Sequence, residues 1–507
     1  MGLVLLTERH ESKIAGVLSC YDRIITKGTL PEFGDAGGMA AYLTKLRIRI
    51  FDFVEFVKPL TEAIKNHAKQ VAADNGLEIQ YISSKKDFRQ EREVAKALEE
   101  RGSHPGLVRI FSAIEPCTTY EPRFNKETNR AYLKPDDGKC LHYYFYFIDE
   151  ELGLCYLRVP TWCPFRLQFY CNGHNWLARQ LDRRKIGYTQ LDNAFLHIDD
   201  WAAAQRIANA WDAARLHRKL DHYARLYCPI LKKIEQSYRW SLWEVEYSTD
   251  IAFQRRADLQ AIYGNLMCTA IHTVKPDNIA TFLGKKLNVH FEGELGTRYN
   301  VRIEGTRVRH SMDKASIKMY DKFGQILRIE TTTTNVSFFR HYRKVEQRNG
   351  ETVMKFARMK KSIYSLAPLR ELMAAANRRY LDFLSAIEDP SSGVGKLHKV
   401  TRTVHESARS YRGFNFFDQD DEAIFLALAR GEFNISGMQN KTLRAHFPQH
   451  NSGQMSRILR RLRAHGLIKK AAHSYKYYLT AFGKQVVTLG LKLKELVIIP
   501  QLATASV

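Results

Sequence analysis

The sequence predicts an α+β multidomain protein, with a helical N-terminal region, an antiparallel-sheet body and a C-terminal domain built on a basic helix. A chain of 507 residues is too long for one hydrophobic core. Its hydrophobic content of 45% and aromatic content of 11% are typical of folded globular proteins. The spacing of apolar residues changes along the chain from the helical period to the alternation of strands and back, which separates these regions.

The sequence predicts two regions of different secondary structure in the N-terminal part of the chain. Residues 1–105 are expected to be mainly helical, with an amphipathic segment at Val57–Asn75 and a highly charged one at Phe88–Arg101. Residues 106–236 are expected to form an α+β domain with an antiparallel sheet, because aromatic and β-branched runs recur there. Those runs are Leu107–Ile114, Leu141–Ile148, Leu154–Val159 and Phe165–Tyr170, and the polar segment Glu121–Lys139 is expected to be an exposed loop.

Residues 237–390 predict a second α+β domain. Strands are expected at Trp240–Phe253, Tyr299–Arg309 and Ala315–Thr334, the last one broken at a glycine turn. Arg348-Asn-Gly350 is a hairpin-turn signal, and Pro368–Ala386 has the helical period. Residues 391–413 are rich in Gly, Ser, Thr and basic residues without an apolar period, so they predict a basic linker to a final domain at residues 414–507.

The charge balance indicates a polyanionic partner. Lys and Arg number 78 against 54 Asp and Glu, which gives a net charge of +24. Such an excess favours a nucleic acid or an anionic membrane. No apolar run approaches the roughly 20 residues that a membrane-spanning helix needs, so we expect no membrane partner and a nucleic acid instead. The eight cysteines include no Cys-x-x-Cys pair, and no signal peptide is recognisable, which predicts reduced thiols and a cytoplasmic location.

A basic helix is the most informative segment of the C-terminal domain. Met455, Ile458, Leu459 and Leu462 form one apolar stripe at helical spacing. Ser452 is a suitable N-cap and Gly466 a suitable stop. The guanidinium fork of arginine fits phosphates and guanine edges, and four arginines lie away from the stripe. These candidates for nucleic-acid binding are Arg457, Arg460, Arg461 and Arg463.

The basic helix, the following His-Gly-Leu-Ile-Lys and the later Tyr-Tyr-Leu-Thr resemble the recognition helix and wing of winged helix-turn-helix DNA-binding domains, such as those of the MarR and ArsR families. The resemblance covers roughly Phe414–Pro500. It implies that the arginines dock on duplex DNA and that Lys470, Lys476 and Tyr477 follow the backbone or minor groove. It also implies a homodimer, because many winged helices bind two half-sites.

Acidic residues on the predicted strands of residues 237–390 are candidates for metal binding and catalysis. Glu246, Asp250, Asp321 and Glu330 could converge on the sheet and hold Mg²⁺ or Mn²⁺, which would polarise a phosphodiester; Glu304 is a further candidate. Tyr320 is a candidate nucleophile beside Asp321, with Asp321 and Glu330 as its catalytic partners. The alternative interpretation is that these carboxylates form cross-strand ion pairs with neighbouring Lys and Arg, worth about 0.2–1 kcal/mol each.

The segments Glu246–Phe253, Ser316–Lys322 and Leu327–Glu330 resemble rolling-circle replication initiators of plasmid and filamentous-phage type, over about a hundred residues. The resemblance implies a metal-dependent DNA-nicking activity with a tyrosine nucleophile. The chain departs from the family pattern because it lacks a His-hydrophobe-His motif, and both Tyr299 and Tyr320 remain candidates for the nucleophile.

These observations lead to one main hypothesis and two alternatives. The first is a DNA-binding protein of replication-initiator or mobile-element type, targeted by the C-terminal winged helix and acting as a Mg²⁺- or Mn²⁺-dependent endonuclease or nickase. The second is a non-enzymatic transcriptional regulator. The third is a protein that binds structured RNA through its basic body.

Overall fold

The computed structural model describes residues 5–82, 90–102, 104–287, 291–301, 305–388, 390–406, 408–430, 433, 437–472 and 474–504. The chain divides into two compact units, Met1–Glu388 and Asp389–Val507, as expected for an α+β multidomain protein. Within the described ranges, no helix combines the length and the apolar character needed to cross a membrane.

The first unit is organised around one sheet of eleven strands, in the order β10-β11-β12-β13-β9-β1-β6-β5-β4-β3-β2. All neighbours in the sheet are antiparallel except β2, which pairs with β3 in parallel. Two separate hairpins, β7–β8 and β14–β15, accompany it. The strands are β1 Ile14–Thr29, β2 Ile79–Tyr81, β3 Gly106–Asn125, β4 Arg130–Asp149, β5 Gly153–Pro160, β6 Leu167–Asn172, β7 Tyr188–Leu191, β8 Ala194–Ile198, β9 Arg239–Phe253, β10 Leu295–Asn300, β11 Arg307–Met312, β12 Ala315–Lys322, β13 Ile326–Thr333, β14 Arg340–Glu346 and β15 Thr352–Arg358.

Ten α-helices of this unit lie among the described residues, and they bury the apolar side chains of the strands. On β9, β12 and β13 the residues Ile251, Ile317 and Ile329 pack against α8 and α10, whose Leu266 and Leu384 belong to the same core. The helices are α1 Leu6–Arg9, α2 Ala36–Lys45, α3 Phe53–Asp74, α4 Gln90–Arg101, α5 Gly173–Arg183, α6 Trp201–Asn209, α7 Ala213–Tyr227, α8 Arg256–His272, α9 Pro276–Phe282 and α10 Leu366–Glu388.

The structure differs from the sequence-based expectation in the first hundred residues. Helices α3 and α4 occur there, but the central strand β1 also lies there, between β9 and β6. The predicted ranges 1–105, 106–236 and 237–390 therefore all contribute strands to one sheet. The expected loop Glu121–Lys139 is instead the outer part of the β3–β4 hairpin, and the expected strand Tyr299–Arg309 spans parts of both β10 and β11.

The second unit contains a small helical core. Phe425, Leu443, Met455, Leu459 and Leu462 are buried together, so three residues of the predicted apolar stripe face the interior. The range 391–413 differs from the expected linker because it contains a helix and a hairpin. The elements are α11 Pro390–Thr401, β16 Val404–Glu406, β17 Arg409–Tyr411, α12 Gln419–Leu428, α13 Asn440–Arg444, α14 Ser452–Ala464, β18 Ile468–Lys470, β19 Tyr477–Leu479, α15 Ala481–Leu493, a π-helical turn Lys494–Ile498 and α16 Ile499–Thr504.

The N-cap of the basic helix α14 lies one residue earlier than predicted, at Asn451 instead of Ser452. Asn451 is the N-cap: its side chain accepts a hydrogen bond from the Gln454 amide, and Gln454 returns a side-chain bond to the Asn451 amide. This reciprocal pair satisfies two amides of the first turn, which explains why Asn451 caps the helix and Ser452 lies inside it. Gly466 follows the helix at φ +71°, as predicted.

Candidate functional site

Three carboxylates from three strands converge on the sheet of the first unit. Asp22 lies on β1, Glu246 on β9 and Glu330 on β13, and one carboxylate oxygen of each lies within 4.8 Å of the others. All three residues are buried. We call this group the carboxylate cluster. It contains two of the four predicted metal ligands, Glu246 and Glu330, together with a residue that the sequence did not suggest.

Asp22 reaches the cluster because β1 is irregular at this point. The register of β1 against β9 shifts between Tyr21 and Arg23, which is a β-bulge centred on Asp22. Asn172 donates from Nδ2 to Asp22 Oδ1 over 3.0 Å, and the side-chain amide of Asn193 donates to the same oxygen. The bulge and these two amides orient the carboxylate toward β9 and β13.

Lys318 and Tyr320 complete the cluster from β12. Lys318 Nζ lies 2.9 Å from Glu246 Oε1 and 2.5 Å from Glu330 Oε1. The Tyr320 hydroxyl donates to Glu330 Oε2 over 2.7 Å. Burial, and then the charge of Glu330, raise the pKa of Glu246 and also raise the pKa of Tyr320 well above its usual value. The two glutamates repel each other, and the Lys318 ammonium group lies between them as the compensating cation.

Asp250 lies on the same face but is already neutralised. The fully buried Arg328 donates to both of its carboxylate oxygens over 2.6 Å, and His174 Nε2 lies 3.4 Å away. Burial alone would raise the pKa of Asp250, yet the charge of Arg328 and the hydrogen bond of His174 keep that pKa below its usual value. Asp250 is therefore a partner of Arg328 and lies outside the carboxylate cluster. Asp22 shares both partners, with Arg328 and His174 each 3.2 Å away, so a metal ion at Asp22 would compete with these two side chains.

Asp321 lies on the opposite face of the sheet from Tyr320 and Glu330. Its carboxylate accepts a hydrogen bond from Gln260 Nε2 over 2.9 Å, and its amide donates to the Tyr263 hydroxyl over 2.9 Å, both on α8. Successive residues of a strand point to opposite faces, so Tyr320 and Asp321 cannot both reach the carboxylate cluster. The structure thus removes Asp321 from the predicted catalytic and metal-binding set. Glu304 lies outside the described residues.

The carboxylate cluster has the ligand chemistry of a site for Mg²⁺ or Mn²⁺. Asp22, Glu246 and Glu330 offer hard oxygen donors, which these ions prefer. The Lys318 ammonium group lies between the two glutamates, so a divalent ion that binds both would require Lys318 to move. Lys318 is mostly buried, and 14% of its side chain is exposed.

In the second unit, three of the four predicted arginines of α14 are exposed, namely Arg457, Arg460 and Arg463. Arg461 is buried instead. It forms two hydrogen bonds to Asp421 over 2.6 and 2.8 Å, donates to the Arg412 and Gly413 carbonyls, and stacks 3.8 Å above the Phe414 ring. Its guanidinium is occupied by the interior, which removes Arg461 from the predicted nucleic-acid-binding set.

The β18–β19 hairpin carries the other predicted contacts. Lys470 and Lys476 are exposed, whereas Tyr477 is half-buried and its backbone forms an isolated bridge with Met438. Tyr475, which was not among the predicted contacts, is 83% exposed, and Lys470 Nζ lies 5.5 Å from its ring centre. An aromatic residue between two lysines in a short turn is a signal that could have identified it.

Comparison with known proteins gives little similarity. No protein-family model matches the chain, and no curated protein matches it. Among solved structures, a rolling circle replication initiator protein from Geobacillus stearothermophilus is similar at 8% sequence identity, over 71% of this chain and 98% of that chain, with a TM-score of 0.19. A similarity of this size does not establish a common fold.

Proposed function

We propose that the chain is a DNA-binding protein of replication-initiator or mobile-element type, and that it cuts one DNA strand at the carboxylate cluster with the help of Mg²⁺ or Mn²⁺. The observation that carries this proposal is the cluster itself, where three carboxylates from different strands meet and a tyrosine hydroxyl donates to one of them. A net charge of +24 supports DNA as the substrate.

The chemistry follows from the contacts of Tyr320. Its oxygen attacks the phosphorus atom while its proton passes to Glu330 Oε2, 2.7 Å away. The bond from phosphorus to the 3′-oxygen breaks, the 3′-oxygen takes a proton from water, and a 5′-phosphotyrosine remains. A divalent ion held by Asp22, Glu246 and Glu330 would stabilise the charge on the phosphate oxygens. Lys318, whose Nζ lies 2.5 Å from Glu330 Oε1, would have to leave that position for the ion to bind both glutamates.

The second unit supplies a second reason to propose DNA binding. Helices α12, α13 and α14 are followed by the β18–β19 hairpin and α15, and Met438 bridges to β19. This order is that of a winged helix, in which α14 would enter the major groove. Its exposed Arg457, Arg460 and Arg463 would contact the duplex, while Lys470 and Lys476 would follow the backbone.

A DNA-binding regulator without nuclease activity is the second candidate function. The position of Lys318 favours it, because its ammonium group already forms ion pairs with both Glu246 and Glu330. In that case the carboxylate cluster stabilises the sheet and binds no metal. Metal titration and strand cutting distinguish the two candidates.

The first experiment measures Mn²⁺ binding by electron paramagnetic resonance and strand cutting on supercoiled and single-stranded DNA. We expect one saturable Mn²⁺ site, which Glu246→Gln and Glu330→Gln abolish. We expect nicked product with Mg²⁺ or Mn²⁺, and a labelled DNA–protein adduct that Tyr320→Phe abolishes while metal binding persists.

The matched control is Asp321→Asn. Asp321 is the residue after Tyr320 on β12, and its carboxylate lies on the opposite face of the sheet from the carboxylate cluster. It should retain metal binding and nicking if the carboxylate cluster is the active site. The absence of saturable Mn²⁺ binding to the wild-type protein would exclude the nickase and leave the regulator. If Asp321→Asn lost metal binding while Glu246→Gln and Glu330→Gln retained it, the carboxylate cluster would be excluded as the metal site.

A further inference from the structure

The β14–β15 hairpin, which we call the ribbon, is a two-stranded sheet apart from the main sheet. Each strand has seven residues, so the ribbon is about 24 Å long. Residues 340–358 contain six Lys and Arg and two Glu, a net charge of +4. The ribbon contains no residue of the carboxylate cluster or of α14.

The cross-strand pairs of the ribbon place like charges opposite each other. Arg340 faces Arg358, and Arg343 faces Lys355. Like charges in directly opposed positions destabilise a sheet. Among the described residues, no acidic side chain forms an ion pair with any of these four. An arrangement that costs stability in the free protein is favourable when a polyanion lies across it.

One face of the ribbon also exposes large apolar side chains. Tyr342 is paired with Phe356, and their ring centres are 5.5 Å apart. Tyr342 is 71% exposed, Phe356 is 52% exposed and the neighbouring Met354 is 62% exposed. By strand alternation, Arg340 and Arg358 lie on this same face. The face therefore joins two rings to two guanidinium groups.

The face continues into a basic groove of about 850 Å³ at the base of the ribbon. Arg340, Phe356 and Arg358 line the groove together with Lys285 and Lys314. Lys285 Nζ donates to the Phe338 carbonyl over 2.6 Å. Burial, and then the charges of Arg340 and Arg358, lower the pKa of Lys285. Glu292 and Asp313 also line the groove, but its six Lys and Arg outnumber these two acidic residues, which favours an incoming phosphate.

We propose that the ribbon face formed by Tyr342, Phe356, Arg340 and Arg358 binds single-stranded DNA, with bases stacked on the two rings and phosphates on the guanidinium groups and in the groove. Bases of a single strand offer their faces to aromatic side chains, whereas bases of a duplex are already stacked. A ribbon that reads a duplex uses polar side chains directed at base edges, and the centre of this face is aromatic. The inference rests on the proposed DNA binding and assigns it a new surface.

The test uses the full chain and a labelled oligothymidylate of about 12 nucleotides, with binding followed by fluorescence anisotropy over a salt series. Replacing both rings, in Tyr342→Ala with Phe356→Ala, should raise the Kd at least about tenfold. Replacing both arginines, in Arg340→Ala with Arg358→Ala, should lower the slope of log K against log salt by about 1.4. All four side chains are exposed, so these variants should fold like the wild type.

The matched control is the outer part of the β3–β4 hairpin. Phe124 is 50% exposed and Tyr132 is 44% exposed there, yet residues 121–137 carry four basic and four acidic side chains. Phe124→Ala with Tyr132→Ala should leave the Kd unchanged.

Three outcomes would overturn the proposal in distinguishable ways. Wild-type affinity in the ring variant would exclude the ribbon while DNA binding stands. If the ring variant lost as much affinity for a duplex of the same length as for the oligothymidylate, a preference of the ribbon for single-stranded DNA would be excluded. If the wild-type protein binds no DNA, the proposed function and the ribbon assignment fail together.

Discussion

Two buried carboxylates, Asp22 and Asp250, depend on one guanidinium group, that of Arg328. The Arg328 side chain is fully buried and forms ion pairs with both, over 3.2 and 2.6 Å. Removing one partner of a buried ion pair costs about 3–5 kcal/mol, because the remaining charges lose their compensation. We expect Arg328→Met to lower the free energy of unfolding of the first unit by about this amount. All six tryptophans belong to this unit, so urea unfolding followed by their fluorescence measures the effect.

The pH dependence of this effect has a definite sign. Arg328 holds the pKa of Asp22 and that of Asp250 below their usual values, against the opposing effect of burial. The stabilisation is therefore complete above the unfolded-state pKa of about 3.9 and disappears as the pH falls through the lowered folded-state values. The difference between wild type and Arg328→Met should shrink below about pH 4. The exposed Arg298→Met is the control and should change stability by less than about 0.5 kcal/mol. A constant difference down to pH 2 would contradict the assignment.

At the scale of single elements, α14 combines two kinds of arginine. Arg461 is bonded to Asp421 in the interior, whereas Arg457 is exposed on the same helix. We expect Arg461→Met to destabilise α12 and α14 by about 3–5 kcal/mol, since Asp421 loses its partner. Hydrogen–deuterium exchange of the peptides at 415–428 and 452–464 should accelerate at least a hundredfold.

The control is Arg457→Met, the same change at an exposed position of α14, which should leave the exchange rates unaltered. Similar protection in both variants would mean that the Arg461–Asp421 pair does not stabilise this unit.

How far the sequence predicts an element depends on whether its determinants are local. The stripe of α14, the stop at Gly466 and the turn at Arg348-Asn-Gly350 follow from helical period and turn chemistry, and the structure contains all three. The burial of Arg461 does not follow from them, because it depends on Asp421, forty residues away. The exclusion of Asp321 from the carboxylate cluster could have been predicted from the sequence. Successive residues of a strand point to opposite faces, so Asp321 cannot share the face of β12 that carries Tyr320.

At the scale of the whole sheet, the long-range strand pairings could not be predicted from the sequence. β1 pairs with β9 more than two hundred residues later, and no local pattern specifies that register. The same pairing creates the bulge that brings Asp22 to Glu246. A carboxylate cluster assembled from β1, β9 and β13 was therefore only partly predictable: Glu246 and Glu330 stood on predicted strands, but Asp22 stood in a range predicted to be helical.

Within the part of the chain that the structure describes, the ribbon and α14 present basic surfaces of different composition, and this difference predicts different ligands. The ribbon carries exposed aromatic rings, whereas Arg457, Arg460 and Arg463 lie on α14, which has no aromatic residue; the exposed Tyr475 belongs to the β18–β19 hairpin. Replacing these three arginines by alanine should weaken duplex binding and lower its salt slope by about 2.7. The affinity for oligothymidylate should not change. The ring variant of the ribbon should have the opposite selectivity, and the combined variant should lose both affinities additively.

The measurement is the Kd of each variant for a duplex and for a single strand of equal length, at matched salt concentrations. The reason for expecting separation is that each ligand exploits a different contact, base stacking on the ribbon and phosphate or base-edge contact on α14. If binding came only from non-specific attraction to the net charge of +24, each variant would bind both ligands more weakly in proportion to the number of charges removed. In that case the ring variant, which removes no charge, would leave both affinities intact. The ring variant therefore discriminates between a built surface for single-stranded DNA and a general electrostatic attraction.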